Sequence, residues 1–261
     1  MKVKIISGWS GPGGSTTVFV NLTNYFNSNG LDCTFYGPQD WHMSRCRSDK
    51  LSELKLEEDD VLICHYINFA QRPKVKKVLF ACHEKWWFDF SKVTTFWDKA
   101  IFLHEEHRNY HSNYQGNSAI IPNIKEELRP SDKSGIDLVA GVIGAIEDRK
   151  QTHVSIKRAL DDDCEKVLLF GNIQDPGYYH EKVKPLIDDG KAVHSGYAKS
   201  KQKMYDSVGR VYHSSKGEVA CLVKDECFST GTKFFGNEET QNTVSHLSNE
   251  EIFSLWKEEI L

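Results

Sequence analysis

Short apolar runs alternate with amphipathic stretches along the first 120 residues. Residues 3–6 read as a strand, and residues 16–29 carry Val18, Phe19, Leu22, Tyr25 and Phe26 at helical spacing. Gly30 stands just past the last turn, where a glycine commonly ends a helix. Residues 32–37 supply a second strand, and the right-handed crossover of such a β-α-β unit lays its two strands parallel. Further runs at 60–65, 77–83, 100–103 and 119–121 lack polar alternation, as strands buried on both faces of a parallel sheet do. Pro122-Asn123 closes this half, and the polar stretch 125–135 reads as a linker.

The same rhythm restarts at Ile136. Strands are expected at 137–142, 166–171, 192–196 and 210–213, and helices at 152–160, 177–187, 200–206 and 224–229. Residues 249–256 read as an amphipathic terminal helix. The expectation is an α/β chain of two Rossmann-like halves, residues 1–133 and 134–261.

Composition narrows the class. With 261 residues, 39% of them hydrophobic, the chain can bury a real core. A net charge of −4 argues against a generally basic nucleic-acid coat protein, though not against a local basic patch. Seven cysteines at 33, 46, 64, 82, 164, 221 and 227 show no C-x-x-C pair, and no signal peptide opens the chain. No apolar run approaches the ~20 residues of a membrane span. These features lead us to expect a soluble cytoplasmic protein with free thiols.

Several groupings carry chemistry. Residues 11–15, Gly-Pro-Gly-Gly-Ser, join the first strand to the first helix at the edge where doubly wound sheets bind ligands. Gly13 and Gly14 let the backbone approach an anion, and the helix N-terminus adds about half a positive charge. A tight turn with nothing bound is the alternative, and neither a G-x-G-x-x-G nor a P-loop motif occurs. Arg149 and Lys150 follow Gly144 beside another strand-to-helix turn, where two cations can neutralise a pyrophosphate. An ordinary solvated basic pair is the alternative there. Thr152 is placed to cap the next helix.

Glu218 and Glu226 bracket a loop-to-helix passage with seven residues between them, and carboxylates suit the vicinal hydroxyls of a ribose or hexose. His83 and His65 close neighbouring strands at their carboxyl ends. His104, His107 and His111 share one helical face; without H-E-x-x-H they read as a polar, acceptor-facing surface, and no metal site is expected. Trp86, Trp87, Phe88, Phe90, Phe96 and Trp97 crowd together, several of them as core and the excess as stacking surface. Arg45, Arg47, Lys50, Lys74, Lys76, Lys77, Lys85 and Lys92 are available to line a groove for an anionic acceptor, or simply a solvated surface.

Taken together these residues resemble the GT-B glycosyltransferases of family 4. The likeness rests on Gly13-Gly14 after the first strand, His83, Ile121-Pro122-Asn123 before the linker, the strand ending at Gly144, Tyr205 to Ser215, and Glu218 with Glu226 as E-x7-E. It departs at Ala145, where the family has arginine; Arg149 is the available substitute. The chain is also short for the family. The resemblance implies two Rossmann-like domains facing each other across a cleft, with the terminal helix crossing back onto the first. It implies retaining transfer from a nucleotide diphosphate-sugar, UDP-linked, with no metal or other cofactor required.

Residue by residue, the resemblance puts Lys150 on the donor diphosphate with Arg149 and Gly144 beside it, Glu226 on the ribose and Glu218 on the donor sugar. Gly13 and Gly14 approach the diphosphate and acceptor, and His83 sits by the anomeric carbon. Ser15, His65, Trp86 and Trp87 are expected on the acceptor. Compactness, the cations and the aromatic cluster also resemble the small T-even-type phage glycosyltransferases, which implies double-stranded DNA carrying 5-hydroxymethylcytosine as acceptor. A glycan or lipid-linked acceptor, and a non-catalytic nucleotide-sugar-binding module, are the competing expectations.

Overall fold

A computed structural model describes residues 1–9, 13–38, 43–85, 88–93, 95–240 and 245–261. The chain forms two compact units, Met1–Lys125 with Ser245–Leu261, and Glu126–Val244. The division falls at residue 125 rather than 133. The terminal segment belongs to the first unit, because its apolar face is buried there.

The first unit is built on seven strands: β1 (Val3–Ser7), β2 (Cys33–Tyr36), β3 (Ser48–Asp49), β4 (Val61–His65), β5 (Lys77–Ala81), β6 (Lys99–Phe102) and β7 (Ser118–Ile120). Their order is β3-β2-β1-β4-β5-β6-β7, with every neighbouring pair parallel. Helix α1 (Gly14–Ser28) returns from β1 to β2, and α2 (Glu105–Tyr110) follows β6. All of β1 and β4 is buried, which explains the unbroken apolar runs. The exception, Lys4, is paired with buried Asp60 and the Lys55 carbonyl. A buried charge persists only with such partners.

Phe19, Leu22 and Phe26 of α1 join Val3, Ile5 and Ile63 in one core. The terminal helix, Asn249–Ile260, adds Ile252, Trp256 and Ile260 to it, three positions on one helical stripe. Ser248 and Glu251 close its first turn as a reciprocal capping box. A second core holds Phe80, Phe90, Phe96, Trp97 and Tyr114, with the Trp97 indole donating to the Tyr114 hydroxyl at 3.0 Å. Phe90, Phe96 and Trp97 are therefore packing residues and not a stacking surface. Trp86 and Trp87 lie outside the described residues, as do Gly11 and Pro12.

The second unit carries β8 (Val139–Ile143), β9 (Lys166–Phe170), β10 (Val193–Gly196), β11 (Arg210–Tyr212) and β12 (Lys233–Phe235), ordered β10-β9-β8-β11-β12 and all parallel. Helix α3 (Thr152–Asp161) follows β8. The expected helix at 177–187 is one rod in three parts, α4 (Pro176–Tyr178), a π-helical turn (Tyr179–Val183) and α5 (Lys184–Asp188). Then come α6 (Lys201–Asp206) and α7 (Leu222–Thr230). Thr152 does not cap α3: Gln151, in the left-handed conformation, occupies the cap and Thr152 is the first helical residue.

Among the described residues no helix is long and apolar enough to cross a membrane. None of the seven cysteines is in a disulfide.

Candidate functional site

In each unit the strand order reverses beside the first strand, at β1/β4 and at β8/β11. At such reversals the loops leaving two neighbouring strands diverge and open a crevice at the carboxyl edge. Of the described site residues, Gly13, Gly14, Ser15, His65 and His83 end or follow strands of the first unit, and Gly144, Arg149, Lys150, Glu218 and Glu226 follow strands of the second.

In the second unit, the chain leaves β8 through Gly144 and reaches Arg149 and Lys150 in the short helical turn Asp148–Lys150. Gly171, leaving β9, passes so close that a Cβ on it would stand 1.8 Å from the Gly144 carbonyl oxygen. Only glycine fits there. The Lys150 ammonium is ion-paired with Glu218 Oε1, and His213 Nε2, just beyond β11, lies 2.8 Å from the same oxygen. Burial by itself would raise the Glu218 carboxyl; the Lys150 charge and the His213 hydrogen bond outweigh it and hold the group well below the usual carboxylate range.

Arg149 lies next in sequence but is used differently. Its guanidinium donates to the Gly217 carbonyl at 3.1 Å and to Glu147 at 2.7 Å, while its own carbonyl accepts from Lys216 N–H at 2.8 Å. Arg149 thus fastens the loop that carries Glu218. Arg158 and Asn237 hold the same loop through Ser214 (2.9 Å) and the Ser215 carbonyl (2.7 Å).

Glu226 projects from α7 and is 8% exposed. Its two oxygens are engaged by Lys201 and by the Tyr205 hydroxyl (2.7 Å), and Lys201 also meets Glu126 at 3.1 Å. Burial and the neighbouring Glu226 charge push the Tyr205 phenol well above its ordinary value, so it stays a donor. The fold therefore holds Glu226 inside a small polar network.

In the first unit, Gly13 caps α1 in an extended conformation without a side-chain cap, Gly14 opens the helix, and Ser15 is half-buried. Gly8, just after β1, is required because a Cβ there would come 2.5 Å from the Tyr66 carbonyl. His65 ends β4 and is buried; its Nδ1 lies 3.0 Å from Ser7 Oγ and its Nε2 3.6 Å from Glu84 Oε1. His83 stands two residues past the end of β5. Its ring stacks on Phe19 at 4.8 Å and lies 5.4 Å from that of His65. Beside it is a small apolar pocket formed with Val18, Pro122, Asn123 and Trp256. Burial, then the two neighbouring imidazoles of His65 and His107, lower His83 well below its ordinary value. Burial likewise lowers His65, against Glu84. Both are neutral imidazoles at neutral pH.

The histidine series on α2 is not the surface its spacing suggested. His107 and His111 are buried, and His104 caps α2 by accepting from His107 N–H at 3.2 Å. Burial pushes His107 down to about 4. Helical spacing places three side chains on one face without saying whether that face meets solvent or sheet. His213, Lys201 and Tyr205 had no assigned role; the available signal for His213 was its place at a strand's carboxyl end, like His65 and His83. Cys82 was hidden inside an apolar run.

No protein-family model matches the sequence, and no curated protein does. Solved structures do. Anabaena HepE in complex with UDP-glucose superposes with a TM-score of 0.71 at 12% identity, covering 99% of this chain and 88% of that one. TarM of S. aureus, in a mutant bound to fondaparinux, α-GlcNAc-glycerol and UDP, gives 0.70 at 9%, covering 100% and 94%. Sucrose-phosphate synthase from Thermosynechococcus elongatus gives 0.67 at 11%, covering 99% and 89%. At these identities the likeness establishes the fold, and that fold is GT-B.

Proposed function

We propose that the protein is a glycosyltransferase that moves a sugar from a UDP-linked donor to an acceptor hydroxyl with retention of configuration. The observation that carries this reading is the Lys150–Glu218–His213 constellation, set where the strand order of the second unit reverses. Structures of the same fold hold UDP or UDP-glucose.

In this reading Lys150 leaves Glu218 and turns to the donor diphosphate, which carries more charge than one carboxylate. Glu218, still held by His213, then accepts from the hydroxyls of the donor sugar. Charge on the departing diphosphate is then stabilised by the Lys150 ammonium, the largest contribution such sites make. The uncapped start of α1, with Gly13 and Gly14, offers backbone N–H groups to an anion. Glu226 binds the ribose by sharing its oxygens with Lys201 and Tyr205. The neutral His83 is a hydrogen-bond partner for a sugar hydroxyl, and Ser15 and His65 are proposed for the acceptor. Arg149 supports the site through Gly217 instead of replacing the arginine that Ala145 lacks.

The acceptor is the finer part of the proposal. A DNA acceptor carrying 5-hydroxymethylcytosine calls for unpaired cations along a groove. Arg47 is instead paired with Asp32, Lys77 with Glu259 and Lys92 with Asp89, and Lys76 binds the carbonyls of Ile260 and Leu261. We favour a carbohydrate hydroxyl over DNA, because a structure of the same fold, TarM, holds fondaparinux and α-GlcNAc-glycerol along with UDP. The test is transfer from radiolabelled UDP-sugars to hydroxymethylated duplex DNA and to a glycan panel, with donor binding measured by calorimetry. Absence of UDP binding overturns the whole reading; UDP binding with label on DNA alone overturns only the carbohydrate acceptor.

A further inference from the structure

We propose that Cys82, His107 and His111 form a structural zinc site that anchors the turn bearing His83 and Glu84. This inference is independent of the donor reading. Cys82 follows β5 directly, and His107 and His111 lie four residues apart, His107 on α2 and His111 at its C-terminal cap, so one face of one helix presents both imidazoles to the end of a neighbouring strand. All three are buried, and their ligand atoms lie within 4.8 Å of one another. Cys82 Sγ is 3.7 Å from His107 Nε2 and 3.8 Å from His111 Nε2. A tetrahedral zinc with Zn–S about 2.3 Å and Zn–N about 2.0–2.1 Å sets its sulfur and nitrogen ligands about 3.6 Å apart. The side chains are already close to that spacing.

The nearest further donor is a backbone carbonyl, and it lies closer to the two nitrogens than the about 3.3 Å that separates co-ligands on tetrahedral zinc, so it must draw back to complete the shell. The Glu84 carbonyl oxygen lies 2.9 Å from His107 Nε2, 2.7 Å from His111 Nε2 and 3.5 Å from Cys82 Sγ. As a purely hydrogen-bonded cluster this is crowded, because two N–H groups and a thiol converge on an oxygen with two lone pairs. A cation at the centre relieves that convergence. On binding, the thiol loses its proton to solvent and sulfur bonds the metal as thiolate. Each imidazole carries its remaining proton on Nδ1 and bonds the metal through Nε2. For His107 this means giving up the 3.3 Å bond that Leu103 N–H donates to Nδ1 and leaving that buried N–H unpaired, a cost that metal binding must exceed. One thiolate and two imidazoles are donors that zinc accepts.

The consequence falls on His83. Cys82 and Glu84 flank it, so a metal bound by both fixes the histidine's backbone from either side. Full-length protein purified under reducing conditions is expected to carry about one zinc per chain by elemental analysis. After chelation, Co2+ is expected to give a thiolate-to-cobalt charge-transfer band with tetrahedral d–d absorption. Cys82→Ser should abolish the charge-transfer band and weaken cobalt binding beyond the roughly 10–100-fold that losing an outer-shell partner costs. Cys64→Ser, a buried cysteine outside the cluster, should leave the spectrum unchanged. If Cys82→Ser fails to fold, the wild-type cobalt spectrum decides. Metal-free protein with no charge-transfer band means a hydrogen-bonded cluster only and overturns the site. A band that survives in Cys82→Ser overturns it too.

Discussion

Lys150, in the turn after β8, and Glu218, in the loop after β11, meet as an ion pair although 68 residues separate them in the chain. The parallel pairing of β8 with β11 brings their carboxyl ends side by side. The turns that leave those ends then deliver one cation and one anion to the same point. Both side chains are largely buried, so neither is dispensable without consequence for the other.

Removing the cation tests the catalytic role. Lys150→Ala is expected to lower turnover on the order of 10²–10³-fold, the loss that accompanies removal of a fixed charge-stabilising group. His213 should keep Glu218 in place, so the fold survives. Wild-type-like transfer at saturating donor would remove Lys150 from the mechanism.

Glu218 makes a prediction in pH. Its carboxyl is depressed in the folded state by Lys150 and His213 against the opposing effect of burial. The sign follows: its stabilisation is complete above the unfolded value, about 4.3, and is lost as pH falls from there toward the depressed folded value. Glu218→Gln should therefore be less stable than wild type near neutrality, with the gap narrowing below about pH 4. Melting temperatures across the acid range check this. A gap that stays constant with pH contradicts the assignment.

Gly171→Ala probes the Gly144 turn without touching a charged residue. The added methyl would stand 1.8 Å from the Gly144 carbonyl, so the two turns must separate. A loss of about 1–3 kcal/mol is expected, as for overpacked sites, together with weakened UDP binding because Lys150 moves with the turn. Unchanged stability and UDP affinity would show that the close approach is not needed.

Trp256→Ala probes the terminal helix. Trp256 is 4% exposed in the core shared with β1 and α1, and truncating a buried Trp costs about 3–5 kcal/mol. Hydrogen exchange should accelerate in β1 and β4 while β8 and β9 remain protected. Equal acceleration in both sheets would mean that the two units do not unfold separately.

The pattern of apolar runs by itself determined most of the succession of strands and helices and the parallel sheets. Burial on both faces of a strand, or on one stripe of a helix, writes itself into local periodicity. Two strands escaped it. Ser48–Asp49 is two polar residues at a sheet edge, and Lys233–Phe235 is an edge strand that opens on an exposed lysine and has no fully buried residue. Helical spacing put His107 and His111 on one face of α2, but only the packing of that face on Cys82 made them interior. Neighbouring Arg149 and Lys150 were indistinguishable as letters. The loop after β11 separated them, giving one a carbonyl and the other a carboxylate. Local sequence sets which groups are offered; which of them meet depends on strand order, because distant loops become neighbours only when their strands pair.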